Sequence, residues 1–256
     1  MEILACVKRV PMVGGTVAVT PDGQDIETRM SGFTVSPHEE CAVEEAIQIT
    51  ERVRGSVTVL TLGPPESAEQ LRDMLALGAG RAVLLETDGQ EWGPMATADA
   101  IAEAAAARPD GTGGYDLLLF GNEAADTGGY QVPVRVAHAL GLPCVTGVKH
   151  LEIAVGAGLR ARREYRGVQE SFDLPLPAVV SVKEGINLPR YPSLPGRLRA
   201  KRAVVERCLV SWHAEGLRKQ QLRVPQREQR AARILGTGTE AVPALVAVLD
   251  DMGVLP

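Results

Sequence analysis

The chain offers its clearest chemistry in one run of small, polar and acidic residues: Gly121, Asn122, Glu123, Ala124, Ala125, Asp126, Thr127, Gly128, Gly129, Tyr130, Gln131 and Val132. No nucleophile is paired with a base here. What the run offers is backbone. Its adjacent glycines permit close approach, and it opens a helical pattern in which Val132, Val136, Ala139 and Leu140 share a face. The free N–H groups at a helix start favour an anion, usually a phosphate. Ahead of the run, Tyr115–Phe120 is apolar after Asp116, as a strand buried on both faces of a parallel sheet reads. Such strand–loop–helix junctions lie at the carboxyl ends of the strands, where ligands bind. An empty junction has the same pattern, so spacing alone leaves occupancy open. Neither GxGxxG after the first strand nor GxxxxGK[ST] is present.

Other chemistry is absent from the pattern. The four histidines are scattered, and Cys6, Cys41, Cys144 and Cys208 form no CxxC. No metal-ligand spacing or serine nucleophile elbow appears. The cysteine usage fits a reduced, cytoplasmic compartment. A net charge of −5 argues against a general nucleic-acid binder. No run of apolar residues reaches membrane-spanning length, and the N-terminus, MEILACVKRV, reads as a strand with charged flanks rather than a signal peptide. At 45% apolar and 23% charged residues, the composition is that of a soluble globular protein.

Alternation positions the loop. Glu2–Val7, Ser56–Leu62, Arg81–Glu86 and Tyr115–Phe120 read as buried strands, with helices predicted from Ser36-Pro37, over Ala68–Leu77, over Met95–Arg108 and after Gln131. Ser36 is an N-cap, Pro37 the first helical residue, and Glu39 completes a capping box. Residues 16–35, around Pro21-Asp22-Gly23, signal a β-hairpin excursion. The class is α/β with a parallel sheet covered on both faces. Beyond residue 145 the pattern changes to glycine-linked antiparallel strands over 148–155, 158–165 and 168–174, and then a buried strand, Pro177–Val182. Lys8-Arg9, after the first strand, suits a phosphate, a partner carboxylate or plain solvent.

Residues 183–202, KEGINLPRYPSLPGRLRAKR, carry three prolines and six cations. Prolines hold Tyr191 and Leu194 on extended backbone, which suits either a solvated connector or a preformed docking loop. From residue 206 the alternation ends in a polar stretch and a short amphipathic helix over 241–252, an arm whose apolar face (Val242, Leu245, Val246, Leu249) calls for a partner.

VKRV, SPHEECAVEEA, GNEAADTGGYQVP and REYRGVQESFDLPLPAVVSVKEGINLPRYPSLPGRLRAKR together resemble the β subunit of electron-transfer flavoproteins, in the right order and over essentially the whole chain. The resemblance implies a Rossmann-like domain of the adenine-nucleotide α-hydrolase type over residues 1–205, with a docking loop at 184–200. Residues 206–256 would be a C-terminal arm packed on an α subunit. That partner holds a redox-active FAD, and this chain holds a structural AMP, or a second FAD in electron-bifurcating members. Electrons pass from flavin dehydrogenases, such as acyl-CoA dehydrogenase in fatty acid oxidation, to a quinone oxidoreductase of the respiratory chain, and the subunit itself performs no bond chemistry. Carried over, the nucleotide positions are Cys6, Ser36, Pro37, His38, Glu39, Leu62 and Gly121 through Val132. The docking positions are Tyr191, Leu194, Pro195, Arg197 and Arg199, with Leu194 entering a partner's pocket. Ser36 replaces the usual Asn, Val13 an aromatic that faces the flavin in some relatives, and His38 stands nearest the flavin edge. The pair Gln131-Val132 resembles bifurcating members. A free-standing nucleotide-binding stress-type protein of the same superfamily is the alternative from another class.

Overall fold

The computed structural model describes the chain except residues 13, 15, 16, 89, 107–110, 112, 155–157, 215, 217, 218, 226–231, 255 and 256. Val13 therefore lies outside the described residues, as do the ends of the helix expected to reach Arg108 and the strand expected to reach Val155.

In chain order the elements are β1 (Glu2–Cys6), β2 (Val10–Pro11), β3 (Phe33–Thr34), α1 (Pro37–Val53), β4 (Ser56–Gly63), α2 (Ala68–Leu77), β5 (Arg81–Glu86), α3 (Pro94–Ala106), β6 (Leu117–Gly121) and α4 (Val132–Leu140). They continue with β7 (Cys144–Val148), β8 (His150–Ala154), β9 (Gly158–Tyr165), β10 (Val168–Leu174), β11 (Ala178–Val182), α5 (Leu194–Arg202), β12 (Glu206–Leu209) and α6 (Val242–Asp251). Seven strands make one sheet in the order β12-β5-β4-β1-β6-β11-β7, and all its pairings are parallel.

Successive residues of a strand point to opposite faces, and both faces here are apolar. Ile3, Ala5, Val57, Val59, Leu84, Leu117 and Leu119 face α1 and α2 in one buried layer. Leu4, Leu60, Val83, Leu85, Leu118 and Phe120 face α3 and α4 in the other. The alanines of α3 (Ala98, Ala102, Ala105) keep that helix close to the sheet. The expected α/β class is what the chain adopts.

Three departures from the pattern have physical causes. Two edge strands escape it. β7 has mixed burial and β12 is mostly exposed, so neither shows the apolar run of a central strand. β12 pairs with β5 through Glu206↔Val83 and Cys208↔Leu85, so the alternation runs one strand past residue 205. Among the described residues, the expected hairpin excursion is held by one bridge, Val19↔Ile26, and by the short pair β2–β3. The stretch expected to be an extended loop over 184–200 turns helical at Leu194. Ser193 Oγ accepts the N–H of Gly196 at 3.1 Å, and Pro195 sits in the first turn, where a missing N–H costs nothing. The antiparallel strands expected after residue 148 form a separate sheet, β10-β9-β8.

Candidate nucleotide site

The carboxyl ends of β1, β4, β5 and β6 open onto a cleft of about 580 Å³, within the span of about 300–1,000 Å³ usual for small-molecule sites. Cys6 through Arg9 extend β1 into it, and Leu62 and Gly63 end β4 there. Glu39 reaches it from the first turn of α1. Thr87 and Gln90–Pro94 form the β5–α3 side, and Glu123, Ala124, Thr127, Gly129, Gln131 and Val132 the side after β6.

Of the positions expected from the sequence, Cys6, Glu39, Leu62, Gly121, Glu123, Ala124, Thr127, Gly129, Gln131 and Val132 line the cleft. Ser36, Pro37, His38, Asn122, Ala125, Asp126, Gly128 and Tyr130 do not line it. Several of these brace the walls. Ser36 donates its N–H to Glu39 Oε2 at 3.2 Å. His38 Nδ1 accepts the Glu184 N–H at 2.8 Å, and its Nε2 lies 3.8 Å from Glu123. Asn122 Oδ1 accepts the Ser181 hydroxyl at 3.3 Å. Asp126 pairs with Lys8 at 2.8 Å, so this cation meets its own chain's carboxylate. Tyr130 donates its hydroxyl to the Glu123 carboxylate, and that bond raises the phenol's pKa.

Two glycines set the approach of backbone to the cleft. A Cβ on Gly121 would stand 2.6 Å from Glu39 Cγ and 3.1 Å from its N, so only glycine lets α1 begin against the end of β6. Gly128 has a φ of 62°, the left-handed region that glycine occupies without strain. Its N–H goes to Ala124 O at 2.7 Å and is taken from the set expected to meet a phosphate. The amides of Gly129, Tyr130, Gln131 and Val132 have no acceptor among the described residues. Free donors at and just before a helix start suit an anion, and Gly129, Gln131 and Val132 border the cleft. In the walls, the shielded Ser67 Oγ and Arg9 Nε also lack a partner among the described residues, while the Arg9 guanidinium lies over the Phe33 ring at 3.2 Å from its centroid. Volume, amides and close glycine backbone together fit a phosphate-bearing nucleotide.

Sequence reasoning missed the β5–α3 side entirely. It also undervalued Glu39 as a charge. Burial pushes that carboxyl up to about 7, against hydrogen bonds from the Lys8 and Ser36 amides that pull it down. A raised carboxyl favours the protonated fold: its stabilisation is complete below the ordinary value of 4.5 and is lost as pH climbs through about 7. Glu39→Gln, neutral at every pH, should therefore gain on the wild type between pH 5 and pH 8, by up to about 3 kcal/mol. Urea unfolding of both proteins at the two pH values checks this; a difference that does not change with pH contradicts it.

A second feature lies outside the cleft. The segment 187–193 is pinned to α1. Asn187 Nδ2 donates to Cys41 O at 3.0 Å and to Glu45 Oε2 at 2.9 Å. Arg190 forks across Glu44 (2.9 and 3.1 Å) and Glu51 (2.7 and 3.1 Å). From this clamp Leu188, Tyr191 and Leu194 project, exposed by 89%, 94% and 73%. Pro195, Arg197 and Arg199 are exposed on α5. Gly196 anchors that helix, since a Cβ there would stand 2.5 Å from Ala76 O. In α6, Val242, Leu245 and Val246 are about half exposed. No described helix is long and apolar enough to cross a membrane.

Residues 26–211 match the electron transfer flavoprotein domain. The chain is 37% identical to "Electron transfer flavoprotein subunit beta" of Bacillus subtilis over 176 residues, 68% of this chain and 66% of the relative. It is 37% identical to the protein of that name from Mycobacterium leprae over 211 residues, covering 80% and 77%. With the Bradyrhizobium diazoefficiens protein, also so named, identity is 30% over 258 residues and covers both chains in full. A parallel α/β sheet, a cleft at its carboxyl ends and a match across most of the sequence lead to one assignment: the chain belongs to the electron-transfer flavoprotein family, on the side of its β subunits.

Proposed function

We propose that this chain works as the β half of a heterodimeric electron carrier, with an adenine mononucleotide, AMP, held in the cleft as a structural ligand. The observation that carries this is the run of free amides from Gly129 to Val132, of which Gly129, Gln131 and Val132 line the cleft. An α partner would hold FAD, which supplies the electron chemistry when bound. The residues of this chain do other work. Gly129–Val132 bind phosphate, Glu39 and Gly121 fix the cleft floor, and the Arg190 clamp presents a docking surface. The arm, residues 206–256, would pack on the α partner; its apolar helix face lacks full cover in this chain, and β12 ties its start to the sheet. Electrons would arrive from flavin dehydrogenases of the acyl-CoA dehydrogenase kind and leave to a quinone oxidoreductase. The complex should show one flavin per heterodimer in its visible spectrum and should be reduced by such a dehydrogenase with its substrate; a complex that carries flavin but accepts no electrons contradicts the assignment. Gln131 and Val132 both line the cleft, and this pair favours one alternative, a second FAD there in a bifurcating carrier. Two flavins per heterodimer would establish it.

Docking is proposed at Leu194, with Tyr191 and Pro195 beside it and Arg197 and Arg199 steering the approach. Full burial of one leucine in a partner pocket is worth about 1.5–3 kcal/mol, roughly one to two decades of affinity. Leu194→Ala should speed dissociation from the dehydrogenase by that factor and leave the melting temperature unchanged, because the side chain packs little on its own chain. A lowered melting temperature with unaltered electron transfer would return this residue to a purely structural role.

A further inference from the structure

The free amides and the positions carried over from the family account for the sides of the cleft built by β1, β4 and β6. The opposite side is the turn from β5 into α3, and no sequence motif marks it. Trp92 stands there. It lines the cleft and packs on the apolar layer that contains Leu62 and Ile101. Its Nε1 is shielded from solvent and has no hydrogen-bond partner among the described residues. Any surface that the indole presents to the cleft is therefore ring carbon.

The turn is held from outside by residues far along the chain. Trp212 donates its Nε1–H to Glu91 O at 2.9 Å, and Lys219 pairs with the Glu91 carboxylate at 2.8 Å. From the other side, Thr97 donates its N–H to Gly93 O at 3.1 Å. Both neighbours of Trp92 are thus tied, and the ring itself packs on the apolar layer. A held aromatic surface in a cleft whose other wall binds phosphate suits a planar base. Stacking on an aromatic ring uses the face that every base has, and needs no hydrogen bond from the indole.

We infer that Trp92 is the stacking wall for the base, so that a nucleotide lies with its base toward the β5–α3 turn and its phosphate on the amides of Gly129–Val132. This rests on the proposal that the cleft takes a nucleotide. It adds a residue that selects for a base as distinct from a sugar phosphate.

The test uses the full-length chain, titrated calorimetrically with AMP and, separately, with ribose 5-phosphate. Trp92→Ala should weaken AMP about ten- to a hundredfold, the loss expected for one base–aromatic stack, and leave ribose 5-phosphate unaffected. Trp92→Phe should bind AMP within a few-fold of the wild type, because the ring is kept and the lost N–H makes no bond. AMP should also quench the tryptophan emission of the wild type, and this quench should vanish in Trp92→Phe although AMP still binds. Equal losses for AMP and ribose 5-phosphate, as a merely structural tryptophan would give, overturn the inference. So does an unchanged AMP affinity in Trp92→Ala, or a phenylalanine variant no better than the alanine one. If the wild type binds AMP and only these variant results fail, the nucleotide site stands without the stacking wall; if the wild type binds neither ligand, the site itself falls and the inference with it.

Discussion

Arg190→Ala is expected to lower the unfolding free energy by about 3 kcal/mol, the low end of the cost of breaking a buried ion pair. The low end applies because the Arg190 side chain is 34% exposed, whereas that of Glu44 is only 3% exposed. Burial by itself raises the Glu44 pKa, but hydrogen bonds from Arg190 and Gln48 outweigh it and hold the carboxyl below its ordinary value. The bonds that Arg190 donates to Glu51 and Glu44 raise its own pKa, those to Glu51 most. A lowered carboxyl stabilises the fold above its ordinary value of 4.5, and that contribution fades as pH falls through the lowered one. The deficit of Arg190→Ala should therefore be full at pH 7 and shrink toward pH 3. The double variant Glu44→Ala/Arg190→Ala should be more stable than Arg190→Ala alone, since it leaves no buried charge stranded; Glu51, which also loses its partner, is exposed to solvent. Urea unfolding of the wild type and the two variants decides it. A deficit below about 1 kcal/mol would make the fork an ordinary surface pair. The variant should also dock more weakly, because the Arg190 fork holds Leu188, Tyr191 and Leu194 in position.

Gly129→Glu is expected to empty the cleft while leaving the fold intact. The two halves of that expectation have separate physical origins. A Cβ on Gly129 meets only Thr127 Oγ1 at 3.4 Å, an ordinary contact, so stability should change by no more than about 0.5 kcal/mol. The new carboxylate would sit among the amides proposed to hold phosphate. Two like charges about 4 Å apart repel by about 4 kcal/mol at an effective dielectric of 20, which is about a thousandfold in affinity. Gly129→Gln, of the same size and neutral, should keep most of the binding. Nucleotide content and melting temperature of the two variants separate charge from volume, and full nucleotide retention in Gly129→Glu contradicts a phosphate at these amides.

The central strands were legible because burial on both faces leaves an unbroken apolar run, as in Leu117–Phe120. The edges were not. In β12, the run Glu206-Arg207-Cys208-Leu209 has a neighbour on one side only and carries polar residues that solvent tolerates. The helix at Leu194 was hidden by prolines that suggested extension, although Ser193 and Pro195 are themselves helix-start residues. Within the cleft, the loop after β6 announced itself through its glycines and the helix that follows. The β5–α3 side did not, because its walls are assembled by long-range contacts: Glu91 is held by Trp212 and Lys219, and no local spacing encodes that meeting.

Acid extraction of the purified complex of this chain with its α partner, followed by chromatography of the released nucleotides, asks most directly whether the cleft holds an adenine mononucleotide. The expected result is one AMP and one FAD per heterodimer. Release of one FAD with no adenine mononucleotide, from a complex that is otherwise folded and stoichiometric, would contradict it.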